Sequence, residues 1–210
     1  MSNINILISL PIGILGFLFL FWRRLKEDYP GDQIFTFGFI VAACILVGFF
    51  SGLAIYNIRH TIFFSSHGLW FWLAFLFGGI GFVTSFLKLK LRFFETLEAT
   101  GLGFLFLYFV ISLVGSIQTV DLKLLLFSLI DGSLILFFFF IDTRYKRFSW
   151  YKSGKVGFAG LMVLGSFFLA RAIVALLDPS MLSFVGKFDA IISSVVSFLF
   201  FITLYNLSEQ

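Results

Sequence analysis

Seven long apolar stretches make up most of the chain, and this pattern constrains its fold more than any other feature. They cover residues 4–22, 33–56, 68–87, 99–117, 124–141, 156–177 and 190–207. Each is about 17 to 24 residues long, which lets a helix cross roughly 30 Å of hydrocarbon. Soluble helices carry a polar face, and these stretches have almost none. We therefore predict an all-α, polytopic membrane protein whose seven transmembrane helices form a single domain over residues 1–210.

The composition excludes a water-soluble domain. Hydrophobic residues make up 60% of the chain and charged residues only 12%, whereas about a quarter of the residues in a soluble domain are charged. The connections between the apolar stretches are too short to hold a separate domain. We interpret the net charge of +4 as an orientation signal and predict no nucleic-acid partner.

Loops that are rich in Lys and Arg alternate along the chain with loops that contain few of them. Three Lys or Arg lie in 23–32, three in 88–98 and five in 142–155, whereas each of the other three loops carries one. Cytoplasmic loops of membrane proteins are enriched in Lys and Arg. This pattern predicts that the N-terminus lies outside and the C-terminus lies in the cytoplasm.

Two charged residues fall inside apolar stretches, Asp131 and Arg171. Asp131 lies roughly 10 Å from the outer start of the fifth stretch and Arg171 roughly 9 Å from the outer end of the sixth. Because the two are at similar depth on antiparallel neighbours, we expect that they can pair. One interpretation is a structural ion pair, or an Arg171 side chain that reaches outward to water. The other is a site where Arg171 holds a lipid phosphate and Asp131 orients it.

The remaining polar candidates are weaker. His60 and His67 flank the second external loop and are candidate general bases, but their spacing matches no metal motif. Because no paired His or Cys set is present, we predict no metal site. Glu95 and Glu98 lie where the fourth helix is expected to start, so we interpret them as a solvated helix cap.

Glycines and tryptophans cluster at particular positions. Gly78, Gly79 and Gly81 are dense enough to predict a locally irregular helix that lines a cavity. The pair Gly48 and Gly52 predicts close helix–helix packing. The tryptophans at 22, 70, 72 and 150 lie near stretch ends, as in the aromatic belts of membrane proteins.

Several classes of seven-helix protein are excluded or weakened. A retinal protein needs a lysine deep in its last helix, and residues 190–207 contain none. An ion pump needs a series of buried ionisable groups, and the stretches hold one acid and one base. There is also no phosphate-binding glycine loop followed by lysine, so we predict no cofactor.

Three segments resemble prolipoprotein diacylglyceryl transferase, a seven-helix bacterial enzyme. Residues 23–26, Arg-Arg-Leu-Lys, lead through Asp32 into a glycine-containing helix, like the family's short basic loop. Residues 77–82, Phe-Gly-Gly-Ile-Gly-Phe, are similar to the family's Trp-Gly-Gly-Leu-Ser-Phe-His-Gly segment. Residues 147–171 resemble its basic loop and the following Tyr-Gly-x-x-Arg-Phe helix, with the arginine at Arg171.

The resemblance implies a multi-pass protein of the bacterial cytoplasmic membrane that binds a phospholipid such as phosphatidylglycerol. The chain departs from the family at functional positions, where Val83 replaces the histidine, Phe167 the tyrosine and Ala175 the acid. Residues 115–121 contain neither the arginine nor the asparagine of the family signature. Of the functional residues, Arg171 and the Gly78–Gly79 pair carry over.

Three functions remain open at this point. The first is a non-catalytic lipid-binding or scaffold subunit that works beside another membrane protein. The second is an active diacylglyceryl transferase with a reorganised site that uses Arg171, His60 or His67. The third is a small transporter or channel whose path is lined by Asp131 and Arg171.

Overall fold

Eight helices form the described part of the protein, a computed structural model that covers residues 3–58, 66–145, 156–182 and 187–209. They are α1 (Asn3–Leu25), α2 (Gly31–Ile58), α3 (Ser66–Leu89), α4 (Phe93–Thr119), α5 (Leu122–Asp142), α6 (Phe158–Leu177), the short α7 (Pro179–Leu182) and α8 (Phe188–Glu209).

The seven predicted membrane helices are confirmed. All except α7 are long and apolar enough to cross a membrane, and each overlaps one predicted stretch. The chain is therefore a multi-pass integral membrane protein. The direction in which it crosses the membrane stays a prediction. We call the end of the bundle where α1, α3 and α5 finish the basic-loop end, because the three basic loops follow those helices.

Helix boundaries have local causes. The carboxylate of Asp121 accepts hydrogen bonds from the backbone N–H groups of Lys123 and Leu124 at 3.0 and 3.3 Å, which caps the first turn of α5. Gly157 precedes α6 with a φ of 119°, a conformation that favours glycine because a Cβ atom would be strained there.

The bundle is centred on α4. In the most apolar 18-residue segment of α4, 67% of the residues are buried, against 22% in the corresponding segment of α8. Helix α4 packs against α1 on one side and against α5 and α6 on the others. Helices α2 and α3 form an extensively packed pair, and α8 packs along α6 at the edge of the bundle. Helices α1 and α5 both lie on α4 but have little direct contact with each other.

Close packing between α2 and α3 depends on glycine, as predicted. A Cβ atom at Gly52 would lie 2.5 Å from the Cα atom of Trp70, so only glycine lets the two backbones approach this closely. The predicted irregularity near Gly78 is wrong, because α3 is continuously helical from Ser66 to Leu89. Contacts with α2 support this segment, since the Cβ position of Gly81 lies against Cys44.

Candidate functional site: a buried arginine cluster and a lateral groove

Arg171 forms a two-point ion pair with Asp189 where α6 meets the start of α8. Its Nη2 atom lies 2.9 Å from Oδ2 of Asp189, and its Nε atom donates to Oδ1 at 3.2 Å. Both side chains are 0% exposed. A paired guanidinium and carboxylate carry no net charge, which makes their burial at membrane depth tolerable.

The other donors of Arg171 are also used. Nη2 donates to the backbone oxygen of Leu182 in α7 at 3.0 Å, and Nη1 donates to the hydroxyl oxygen of Tyr108 in α4 at 3.3 Å. The guanidinium carbon lies 3.8 Å from the ring centre of Phe71 in α3, a cation–π distance. A single side chain therefore connects α3, α4, α6, α7 and α8.

Asp189 accepts further hydrogen bonds from side chains around it. The indole Nε1 of Trp72 donates to Oδ2 at 3.0 Å, and the hydroxyl of Ser193 donates to Oδ1 at 3.0 Å. Asp189 is also in the first turn of α8, where the helix dipole favours a negative charge. We call Arg171, Asp189, Tyr108, Trp72 and Ser193 the arginine cluster.

The predicted pairing of Asp131 with Arg171 is wrong. Asp131 is fully buried in α5, and within the described part of the chain neither of its carboxylate oxygens has a hydrogen-bond partner. It lies within electrostatic range of Tyr108, but the carboxylate that reaches the guanidinium is that of Asp189. The sequence prediction paired Asp131 with Arg171 because they lie at similar depths in their helices. The actual partner is set by how α6 and α8 pack against each other, which depth alone does not reveal.

The predicted phosphate contact of Arg171 remains a prediction, and the structure shows what it would require. The guanidinium is enclosed by protein and each of its three nitrogens already donates to an acceptor, so a phosphate that took up its two-point contact would have to displace Asp189. The arrangement therefore acts as a neutral, rigid junction of helices. Among the described residues that contact Arg171, the one hydroxyl is that of Tyr108, which already accepts a hydrogen bond from Nη1.

Gly78 and Gly79 line a groove on the side of the bundle. It has a volume of about 110 Å³. Phe75 and Phe82 of α3 also line it, and its further walls come from α2, α4, α6 and α8, including Phe104 and Phe200. No atom lies within 4 Å of the Cβ position of Gly79, and this residue is exposed on the side of the bundle. The groove therefore opens laterally toward the hydrocarbon of the bilayer.

One hydroxyl lies on the groove. Thr100 lines it from α4, and its Oγ1 atom is buried without a hydrogen-bond partner. Gly81, the third predicted lining residue, does not border the groove. Its Cβ position faces Cys44 and Val41 of α2 instead, so its role is helix packing.

A second buried charge pair lies at the basic-loop end. Nε of Arg24 donates to Oε1 of Glu98 at 2.5 Å, and the other carboxylate oxygen of Glu98 accepts from the backbone N–H of Gly160 at 3.1 Å. Glu98 is only 1% exposed. The predicted solvated cap is therefore wrong for Glu98, because α4 begins six residues earlier than the apolar pattern indicates and places this acid inside the bundle.

Glu95 is also buried rather than solvated. It accepts hydrogen bonds from Nη1 of Arg92 at 2.9 Å and from the hydroxyl of Tyr29 at 3.2 Å. Desolvation raises the pKa of the Tyr29 phenol above its usual value, which keeps it protonated as a donor to Glu95. These contacts hold the connection between α1 and α2 against the start of α4.

The general-base role of His60 and His67 stays a prediction. His60 lies outside the described residues, and His67 is in the first turn of α3, where the description does not extend to its side chain. In the described ranges, no three His, Cys, Asp or Glu side chains are grouped to hold a metal ion.

Sequence analysis missed Asp189, Tyr108 and Trp72 as members of the cluster. Asp189 lies one residue before the predicted last stretch, so the apolar pattern assigns it to a loop. Trp70 and Trp72 were predicted to lie in an aromatic belt, and both are buried. The sequence did contain one signal for Asp189: it is an acid beside the start of a membrane helix, at the same end of the bundle as Arg171.

Comparison with known proteins gives no relative. No protein family, curated protein or solved structure that was compared with the chain matches it.

Proposed function

We propose that this membrane protein is a non-catalytic subunit of transferase-like architecture that binds a phospholipid acyl chain in the groove beside Gly79. As a scaffold it would hold this lipid next to another protein in the bacterial cytoplasmic membrane. The observation that carries the proposal is the combination of an open lateral groove with an arginine whose charge is already neutralised inside the bundle.

The residues at the family's catalytic positions support a non-catalytic role. Val83, which replaces the histidine, is 50% exposed on the side of α3 and carries no proton-transfer group. Phe167 and Ala175 are buried and apolar. Activation of a thiol needs a base or an electropositive site, and the ion pair of Arg171 with Asp189 removes the net positive charge.

The groove favours an acyl chain because of its depth and lining. It lies near the middle of α3, and its walls are aromatic and aliphatic side chains. What lies outside a laterally open groove at this depth is lipid. The resemblance to the transferase makes phosphatidylglycerol the expected phospholipid.

Gly79 offers a direct test because a larger side chain fits there without a clash. We expect Gly79→Leu to fill the groove and to reduce crosslinking by phosphatidylglycerol that carries a photoreactive acyl chain, measured by peptide mapping in nanodiscs. The variant should fold at least as well as the parent, because leucine in a helix interior is more favourable than glycine by about 1 kcal/mol.

Gly31→Leu is the matched control, since Gly31 also has open space around its Cβ position but lies away from the groove. Crosslinking to Phe75, Phe104 and Phe200 should fall in Gly79→Leu and stay unchanged in Gly31→Leu. Equal labelling of these positions in both variants would contradict acyl-chain binding in the groove.

The catalytic alternative has its own experiment. The chain is expressed in a bacterium depleted of its diacylglyceryl transferase, with and without Arg171→Ala. We expect no restored growth from either. Rescue by the parent chain that is lost in Arg171→Ala would overturn the non-catalytic assignment.

Asp131 favours one second candidate, a small transporter. A fully buried acid without a partner is typical of proton relays in transporters. This function predicts solute or proton flux in liposomes that disappears in Asp131→Asn. The groove proposal predicts no such flux, so the measurement separates the two.

A further inference from the structure

A second cleft, which is polar, lies at the basic-loop end between α1 and α5, and α4 contributes Leu102 to its lining. Its volume is about 510 Å³. The end of α1 and the end of α5 supply its polar rim, and Leu20, Leu102, Phe138 and Phe139 supply its apolar part. Because α1 and α5 have little direct contact, the cleft is open toward the lipid between them.

The geometry points to a binding site for a zwitterionic phospholipid whose headgroup carries a primary ammonium, and we propose this as a site separate from the Gly79 groove. The rim lies at the level where the helices leave the membrane. The apolar walls lie up to one turn deeper, beside the expected path of the acyl chains. This depth profile matches a phospholipid with its headgroup at the rim.

The charges of the rim define the headgroup. Arg24 is neutralised by the buried Glu98 and also lies 3.5 Å from Asp142. Arg23 has no carboxylate within ion-pair distance among the described residues, and its guanidinium carbon lies 5.5 Å from the ring centre of Phe139. Of the two described cations that line the cleft, Arg23 is therefore the one available to a phosphate group.

Acidic residues outnumber this cation. Glu27 and Asp28 border the cleft and are exposed, and neither forms an ion pair in the described part of the chain. Together with Asp142 they place three carboxylates beside one guanidinium without an acidic partner, counted over the described residues that line the cleft. An anionic headgroup would meet more negative than positive side chains in this described lining. A headgroup with one phosphate and one ammonium gives each charge a partner of opposite sign.

The carboxylates also favour an ammonium with N–H groups. A primary ammonium can donate three hydrogen bonds to carboxylate oxygens. A quaternary ammonium has no N–H to donate, and proteins usually bind it in aromatic cages. Of the rings at this cleft only Phe139 lies beside a charged group, and that group is Arg23. The site therefore fits a phosphatidylethanolamine headgroup better than a phosphatidylcholine headgroup.

The test measures retained lipid by native mass spectrometry. The protein is exchanged into nanodiscs that contain equal amounts of phosphatidylethanolamine, phosphatidylcholine and phosphatidylglycerol with identical acyl chains. We expect preferential retention of phosphatidylethanolamine. In the double variant Glu27→Gln with Asp28→Asn, this preference should fall about tenfold, the loss of one charge-assisted hydrogen bond.

The matched control is Asp32→Asn with Glu209→Gln, which removes two exposed acids from the same end of the bundle but away from the cleft. It should keep the parent's retention of phosphatidylethanolamine, and so should Gly79→Leu. If only Gly79→Leu reduced retention, the lipid would lie in the groove and the cleft proposal would fail.

Equal retention of the three lipids, or the same preference in the parent and the Glu27/Asp28 variant, would overturn the proposal. A competition arm separates a lipid from a soluble headgroup. Short-chain phosphatidylethanolamine should displace the bound lipid at much lower concentration than free phosphoethanolamine. Equal potency of the two would contradict a membrane-lipid occupant.

Discussion

Two aspartates are fully buried in this bundle and have opposite surroundings. Asp189 accepts hydrogen bonds from Arg171, Trp72 and Ser193. Asp131 has no hydrogen-bond partner among the described residues for either carboxylate oxygen. A carboxylate at this depth needs compensation. The comparison therefore indicates that Asp189 is the compensated, structural acid and that Asp131 has no such structural role.

The largest effect is expected from the compensated acid. Asp189→Asn should lower the free energy of unfolding by about 3 to 5 kcal/mol, because it leaves the Arg171 guanidinium buried without a counter-charge. Equilibrium unfolding in mixed micelles measures the change. A loss of less than about 1 kcal/mol would contradict the role of Asp189 as the main partner.

Removing both charges should cost much less than removing one. Arg171→Met alone should destabilise the protein about as much as Asp189→Asn, since it leaves a buried carboxylate. The double variant Arg171→Met with Asp189→Leu should recover most of that loss. If the double variant lost the sum of the two single effects, the residues would be acting independently and the ion pair would be refuted.

Smaller effects are expected from the neutral donors. Trp72→Phe removes one hydrogen bond to Asp189 but keeps an aromatic ring, so we expect a loss of up to about 1.7 kcal/mol. Tyr108→Phe removes the longer bond to Arg171 and should cost about 0.6 kcal/mol. A larger loss in Tyr108→Phe than in Trp72→Phe would reverse the order that the two distances predict. The same unfolding assay reports both.

The smallest effect is expected at the unpaired acid. Asp131→Asn should change the free energy of unfolding by less than about 0.5 kcal/mol, and Asp131→Leu should be neutral or stabilising, because a buried polar group without a partner is costly. Both changes are measured against Asp189→Asn. A destabilisation as large as that of Asp189→Asn would show that Asp131 is ionised and paired.

The sequence predicted the seven spans well because hydropathy is a local property. Each apolar stretch needs only its own residues to be recognised as membrane-spanning. The presence of one buried cation, Arg171, was predictable for the same reason. Gly78 and Gly79 border the groove because the lack of side chains leaves space where two helices do not meet.

The partners of the buried charges were less predictable because they depend on packing between distant helices. Asp189 is 18 residues from Arg171 in sequence and lay just outside an apolar stretch. Glu98 is 74 residues from Arg24, and the late predicted start of α4 placed it in water. A small error at a helix end thus decided whether an acid was assigned to solvent or to the core.

The central claim is that Arg171 is held by Asp189 and not by a lipid phosphate. An experimental density map of the protein in phosphatidylglycerol-containing nanodiscs tests it most directly. The account predicts the Asp189 carboxylate against the guanidinium, near the 2.9 Å seen here, with Trp72 on its other side. Phosphate density in contact with Arg171, and Asp189 turned away, would contradict it.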